Sequence, residues 1–403
     1  MAEAIEIRPG ATLTEEGGNM MLNMGPQHPA THGVLRLVLE LDGETVIKCN
    51  PVIGYVHTGI EKTYEYKTYH QGLTMSDRMD YLAPLSNNLV FSLAVEKLFE
   101  LEAPPRATVA RVILAELTRL NSHLVWLGTQ ALDLGAMSVF FYCFREREML
   151  LSIFEECSGQ RLMTSYIRPG GLYFDLPDSF ESSVQEILNV FPARIDEYED
   201  LLTTNEIWRD RTVGVGVING NDAIAWGLSG PSLRGSGVNW DVRKSEPYCG
   251  YDEYEFNVPL GTNGDVYDRY LCRIREMRES LKIIKQALAR LPGGDFRLHD
   301  HKISFPSRTE LATSMEALIH HFKLATEGYR VPAGEIFLPI ESPRGEIAFY
   351  MVSDGSGKPY RAHVRAPSFY NLAAITKIAE GGFVADLVAL IGSLDPVLGD
   401  VDR

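Results

Sequence analysis

The chain has 403 residues, 45% hydrophobic and 23% charged, with 38 Lys and Arg against 54 Asp and Glu and a net charge of −16. That length accommodates a large core or two to three ordinary domains, and the composition is that of a globular protein. The acidic balance argues against a dedicated nucleic-acid binder, which needs a basic footprint.

Residues 1–18 are polar and rich in Gly and Glu, and read as a flexible N-terminal tail. They carry neither a basic n-region nor an apolar h-region, so no targeting segment is expected. Residues 19–58 read as a β element. Within it, VLRLVLEL (34–41) and TVIKCN (45–50) flank Asp42-Gly43-Glu44, a hairpin signal. The run GPQHPATHG (25–33) contains two prolines and reads as an ordered loop leading into that hairpin.

Residues 59–403 read as a helical body. Helices are expected at 87–99, ended by Pro104-Pro105, and at 107–127, where apolar residues at 109, 113, 117, 120, 124 and 127 are three or four apart. Two more are expected at 139–156 and 180–210, the latter interrupted at Pro192. Residues 212–262 form a Gly-rich insertion with a short strand VGVGVI (213–218) and the loop GLSGPSLRGSG (227–237). The cleanest helix follows, where Tyr267, Tyr270, Ile274, Met277, Leu281, Ile284, Leu288 and Leu291 alternate steps of three and four. A helix at 309–326, a β-hairpin near 346–365 with strands 347–353 and 360–364, and a helical stretch at 372–390 lead to the terminal DPVLGDVDR. The fold class is mainly α, a helix bundle with small β elements near both ends; strands and helices do not alternate as a doubly wound sheet requires. A spanning helix needs about 20 apolar residues. The longest runs, 131–144 and 382–394, are broken by Asp133 and Asp386, so the chain is expected to be soluble and held at any membrane by other proteins.

The cysteines, at 49, 143, 157, 249 and 272, form no C-x-x-C and no Cys/His pair at zinc spacing. They are expected to be reduced, mostly buried thiols of a cytosolic protein. An iron–sulfur cluster needs about four thiolates together, and none is expected here. GVGVING (214–220) misses the dinucleotide fingerprint by one residue, and GSGKPY (355–360) puts Pro359 where a phosphate loop needs Ser or Thr. His299-Asp300-His301 and His320-His321 lack a third ligand in register, so no metal site is expected.

Three features point to chemistry. His28-Pro-Ala-Thr-His32 puts two imidazoles on one rigid loop, either to satisfy local backbone groups or to donate a proton near neutral pH. Arg78-Met-Asp80-Tyr81 precedes an apolar helical run; it offers an N-cap aspartate and a half-buried tyrosine, or a phenol that donates to a substrate carbonyl. Asp133 lies in the apolar ALDLGAM and needs a partner, either a local one or a histidine that it orients and charges. Glu116, Arg119 and His123 form a polar stripe on one helix face and read as internal ion pairing.

GPQHPATHGVLRL, IGYVHTGIEK, DRMDYLAP, YIRPGG, ESPRGE and DPVLGDVDR together resemble the 49-kDa-type subunit of respiratory complex I, the proton-pumping NADH:quinone oxidoreductase, in its bacterial (D-type) form, from about residue 23 to 403. That family is itself similar to the large subunit of nickel–iron hydrogenases. The hydrogenase motifs Arg-x-Cys-Gly-x-Cys and Asp-Pro-Cys-x-x-Cys-x-x-His fall on Arg78 to Ala83 and Asp395 to Arg403, where the four cysteine positions read Asp80, Ala83, Val397 and Asp400. Nickel and low-spin iron want soft sulfur ligands, so the resemblance implies a frame whose metal site is lost.

The resemblance implies that a quinone headgroup takes the vacated space, bracketed by Tyr81 and His32, with Asp133 as the partner of His32 and with His28, Arg78 and Asp80 around the site. It also implies that this chain binds no cofactor alone. FMN and iron–sulfur clusters would lie in partner subunits, which include the small subunit with the terminal [4Fe-4S] cluster, the 30-kDa-type subunit and the membrane quinone-channel subunit. Mitochondrial members carry an arginine where this chain has Thr58, which marks a bacterial chain, peripheral on the cytoplasmic side of the inner membrane. Two alternatives are a nickel–iron hydrogenase large subunit, opposed by the missing thiolates, and a non-catalytic scaffold.

Overall fold

A computed structural model describes residues 19–403 in full, and the backbone of 5–8 and 11–13. The N-terminal strands β1 (Ile5–Arg8), β2 (Ala11–Leu13), β3 (Met20–Met24), β4 (Arg36–Asp42) and β5 (Thr45–Val52) form one antiparallel sheet in sequence order. Two strands therefore occupy part of the span expected to be a flexible tail; its other positions lie outside the described residues. Strand β4 alternates as a half-buried strand must, with Leu37, Leu39 and Leu41 inward. Gly43, at φ 60°, makes the tight turn to β5.

The helical body is built on Pro105–Asp133, which packs against Pro84–Phe99, Met137–Ser158, Val266–Ala289 and Val384–Leu394. Pro84 and Pro105 each open a helix, where a missing N–H costs nothing. The stop for Pro84–Phe99 is instead Glu100, in the left-handed conformation. Pro192 does not interrupt its helix, which runs from Phe180 to Leu202; the break comes later, where Asn205 caps a new helix Glu206–Thr212 by accepting from the Trp208 amide at 3.1 Å.

Other boundaries differ from the sequence expectation for local reasons. VGVGVI is not a strand, because Gly214 and Gly216 take φ of 73° and 60° and turn the chain. The expected helix at 309–326 is two helices, Arg308–Thr313 and Met315–Thr326, divided at Ser314, which caps the second. The expected helix at 372–390 is Pro367–Ala373, Ile375–Ile378 and Val384–Leu394; at the break, the Gly381 amide donates to the Val46 carbonyl and the Val46 amide to Gly382. Besides a small ribbon of β6 (Ile167–Arg168) and β7 (Gly171–Leu172), the C-terminal sheet has three strands, β8 (Gly334–Ser342), β9 (Gly345–Ser353) and β10 (Arg361–Arg365), not two. Strand β8 contains Pro339 and lies at the sheet edge, where a proline is tolerated.

Two apolar cores result. One fills the helix bundle; the other joins Leu35, Leu37, Leu39 and Val46 of the N-terminal sheet to Leu387, Leu390, Leu394 and Leu398 near the C-terminus. Each such side chain contributes about 1.5–3 kcal/mol when fully buried. The second core brings the two ends of the chain together. Within the bundle, the stripe Glu116, Arg119, His123 enters a buried ionic network: Arg119 and Arg243 pair with Glu116 at 3.1 Å, and His123 Nε2 lies 3.0 Å from Glu276.

The turn between β8 and β9 needs a glycine. Gly345 has φ 137°, and a Cβ there would sit 2.5 Å from Ser229 Oγ and 2.8 Å from the Ser229 carbonyl carbon. Gly345→Ala is expected to lower stability by about 1–3 kcal/mol in urea unfolding followed by circular dichroism. Gly334→Ala, where a Cβ would meet only a Leu98 methyl at 3.7 Å, should stay within about 0.5 kcal/mol of the parent.

Candidate functional site

The histidine loop precedes β4. His28 caps a single 3-10 turn, Pro29–Thr31, with its Nδ1 accepting from the Ala30 amide at 3.2 Å and its carbonyl accepting from the Thr31 hydroxyl at 2.8 Å. That ring serves the loop itself. His32 follows in the left-handed conformation, φ 50°, and its Nε2 stands 3.3 Å from Asp133 Oδ2. Asp133 is the last residue of Pro105–Asp133. A carboxylate is disfavoured at that end by the helix dipole, so Asp133 gains from a polar partner there.

The second element is the turn between the helices Tyr69–Ser76 and Pro84–Phe99. Arg78 points to solvent, and Asp80 is buried without capping a helix. Asp80 Oδ1 accepts from the Leu82 amide at 3.2 Å, and Oδ2 accepts from Arg344 Nη1 at 2.7 Å. Arg344 is fully buried; it also donates to Ser122 Oγ at 2.9 Å, to the Asp395 carbonyl at 3.1 Å and to Asp395 Oδ1 at 3.3 Å. The positions Asp80, Ala83, Val397 and Asp400 are all buried. Asp80, Asp395 and Asp400 share the field of one guanidinium. Burial pushes the Asp80 carboxyl up to about 6; Arg344 opposes this, and the Asp400 and Asp395 charges add to it.

The terminal helix Leu398–Asp402 ties these parts together. Leu398 packs against Gly33 of the histidine loop, and Gly399 lies so close to the tyrosine turn that a Cβ would be 2.5 Å from the Met79 carbonyl and 3.1 Å from Tyr81 Cδ1. His32 and Tyr81 thus belong to segments packed on consecutive residues of one helix. Asp402 accepts from the amides of Gly54 at 2.8 Å and Val56 at 2.9 Å, which fixes a loop that exposes Ile53, Tyr55 and Val56. Tyr81 is 38% exposed, and its phenol is raised above the ordinary value, chiefly by burial. The arrangement offers a neutral phenol O–H, a carboxylate-paired imidazole and exposed apolar side chains, which suits an aromatic ligand with hydrogen-bond-accepting oxygens.

Of the residues singled out from the sequence, His32 and Asp133 meet directly, Asp80 joins the buried cluster, and Tyr81 stands at its edge. His28 is turned to its own backbone, and Arg78 has no ion-pair partner among the described residues. Sequence reasoning did not single out Arg344, Asp395 or Asp402. The signal for Arg344 was a cation between two apolar strands in ESPRGE. Among the described residues, no group of three or more His, Cys, Asp or Glu is placed to hold a metal ion. All five cysteines are free, four of them buried. No helix of the described residues is long and apolar enough to cross a membrane.

Residues 133–403 match a family model described as respiratory-chain NADH dehydrogenase, 49 Kd subunit. The chain is 61% identical over 394 residues to the second D-type subunit of NADH-quinone oxidoreductase from Roseiflexus sp., covering 97% of this chain and 94% of that protein. It is 62% identical over 387 residues to the first D-type subunit from Roseiflexus castenholzii, covering 95% and 93%. It is 58% identical over 384 residues to the D-type subunit from Citrifermentans bemidjiense, covering 95% and 99%.

The Asp80 environment predicts a pH signature. Its carboxyl is raised in the folded state from 3.8 to about 6, so the folded chain holds this proton more tightly than the unfolded chain does. The resulting stabilisation is full below about pH 4 and is lost as pH rises through about 6. Asp80→Asn cannot titrate. The stability of the parent relative to Asp80→Asn is therefore expected to fall between pH 4 and 6 in urea unfolding. A difference that is flat across this window would mean that Asp80 is ionised throughout.

Proposed function

We propose that this chain, which belongs to the family of the 49 kDa subunit of respiratory-chain NADH dehydrogenase, forms the quinone-reduction site of its NADH:quinone oxidoreductase complex. The observation that carries the reading is the pairing of His32 with Asp133, together with the packing of the histidine loop and the Tyr81 turn on the consecutive residues Leu398 and Gly399. The helix bundle is read as the frame of the nickel–iron hydrogenase large subunit. The burial of Asp80, Ala83, Val397 and Asp400, none of them a thiolate, supports that reading with the metal lost.

The reaction takes a quinone, two electrons and two protons to a quinol. Electrons come from NADH through FMN and iron–sulfur clusters of other subunits, the last being a [4Fe-4S] cluster on the neighbouring small subunit. The dispersal of the five cysteines of this chain supports that assignment. The 30-kDa-type subunit and the membrane quinone-channel subunit are the other expected neighbours, on the cytoplasmic side of a bacterial inner membrane. Tyr81 and His32 hold the two quinone oxygens. Both donors are in place before negative charge develops on the ring, so little reorganisation is needed at the moment of reduction. Tyr81, raised by burial, stays a neutral donor at pH 7. Asp133, 3.3 Å from Nε2, orients the His32 ring. A proton passed from His32 to an oxygen of the reduced quinone completes the quinol and alters the His32–Asp133 contact, which is the proposed link from reduction to proton pumping in the membrane subunits.

Tyr81→Phe removes one hydroxyl at a partly exposed position. The complex is expected to assemble normally and to lose roughly a hundredfold in quinone reductase rate, the usual cost, about 3 kcal/mol, of deleting one preorganised donor. NADH:quinone turnover with a short-chain quinone, measured beside subunit content, checks this; unchanged turnover would remove Tyr81 from the site.

A further inference from the structure

A second polar site lies away from Tyr81 and His32 and shares no residue with them. Helix Tyr69–Ser76, the β6–β7 ribbon and the 296–305 segment enclose a cavity of about 30 Å³. Its polar walls are His70, Arg168, Arg297, Ser304 and Tyr329; Tyr173 and Phe305 are among the aromatic ones. A volume of that size holds about two water-sized groups.

The two guanidinium groups facing it make no close ion pair, although Asp77 acts on Arg168 from further off and Arg297 acts on Glu310. Arg168 spends its Nε on the Ser165 carbonyl at 3.1 Å and lays its guanidinium over the Tyr173 ring at 3.6 Å. Among the described residues, neither Arg168 nor Arg297 has a carboxylate within ion-pair distance, and Arg297 donates no side-chain hydrogen bond. The buried acids nearby are committed elsewhere. Asp77 accepts from the Ser165 amide at 3.1 Å and Asn88 Nδ2 at 2.7 Å; Glu96 pairs with Arg111 and accepts from the Gly170 amide at 2.7 Å. Tyr329 is buried and its hydroxyl has no hydrogen-bond partner. The charges repel one another: Arg168 is lowered by burial and, further down, by Arg297, and His70 is pushed down to about 4 by burial and then by Arg168. Lys67 lines an adjoining groove that shares His70 and Arg168, so a further cation stands at its edge. Half-buried guanidinium groups without an anion are costly, and oxygen anions are their preferred partners. This concentration of positive charge occurs in a chain of net charge −16.

We infer that this cavity is a binding site for one oxyanion group, a carboxylate or a phosphate, held by Arg168 and Arg297. The cavity admits the anionic head and not a nucleotide or a ring. The anion comes either as a free ion or as the acidic side chain of a neighbouring subunit. The site is independent of the quinone reading.

The test is calorimetric titration of inorganic phosphate into the purified full-length chain at constant ionic strength. Saturable one-site binding is expected, weakened at least tenfold in Arg297→Gln and in Arg168→Gln and unchanged in Lys285→Gln. Arg297→Gln is the decisive variant, because among the described residues that side chain makes no hydrogen bond or ion pair and only lies over the Phe296 ring at 5.3 Å. Absence of saturable binding to the parent chain, or unchanged binding to Arg297→Gln, overturns the site. Repeating the titration on the intact complex separates the sources. Binding retained there identifies a free ion. Binding lost there, together with Arg297→Glu dissociating more readily from the complex, identifies a neighbouring carboxylate. Binding lost there with Arg297→Glu retained as firmly as the parent overturns the proposal.

Discussion

One buried guanidinium joins parts of the chain that are remote in sequence. Arg344 lies 264 positions from Asp80, 222 from Ser122 and 51 from Asp395, and bonds to all three. Each partner sits on a different element: the turn before Pro84–Phe99, the long helix Pro105–Asp133, and the residue that ends Val384–Leu394. Charges out of water are stable only when paired and hydrogen-bonded. Removing any one partner leaves the others exposed to that penalty, so these elements hold their positions together. The close approach of Gly345 to Ser229 and Gly230 fixes where the guanidinium begins. The asparagine Asn371, which donates to the Arg344 carbonyl at 3.0 Å, closes the same turn from the other side.

The charge balance of this cluster also decides what Tyr81 can do. Arg344 acts on all three of Asp80, Asp395 and Asp400, with Arg403 acting on Asp400 and Arg273 on Asp395 as well. Burial dominates the phenol's environment; Arg344 acts to lower its proton affinity, while Asp80 and Asp395 act to raise it. The result is a phenol that keeps its proton at neutral pH. A neutral phenol O–H is a hydrogen-bond donor, which is the form the proposed quinone contact needs. Asp80 and Asp395 thus do more than fill space: they add to burial in keeping the neighbouring phenol protonated.

Much of this was legible in the sequence, and the remainder failed for identifiable reasons. The β4–β5 hairpin follows from its alternation and the Asp42-Gly43-Glu44 turn, and the helix Val266–Ala289 from an unbroken three-four spacing. Both signals are local. Boundaries were missed where one residue type serves two structures. A proline ends a helix or opens one, as at Pro105, and Pro192 is carried inside a helix whose apolar face, with Phe191 and Ile195, is buried. Ser314 interrupts a good helical pattern because its side chain can take the Ala317 amide. Strand β8 was missed because Pro339 is a fault in a central strand and acceptable only at an edge, which is a fact of topology. For the site, motifs pointed to His32, Tyr81, Asp80 and Asp133, but none indicates that Arg344 bridges Asp80 and Asp395, since that contact spans most of the chain.

The pair His32–Asp133 differs in kind from the Arg344 cluster. An arginine keeps its charge at any physiological pH, so the cluster is permanent. A histidine does not. Here each partner bears a cost: Asp133 places negative charge at the negative end of a 29-residue helix, and His32 holds a left-handed backbone that costs about 1–2 kcal/mol outside glycine. The two groups meet at 3.3 Å. Under the proposed reaction, in which His32 hands a proton to the reduced quinone, this is the contact that changes, while the Arg344 frame keeps Tyr81 and the terminal helix in place.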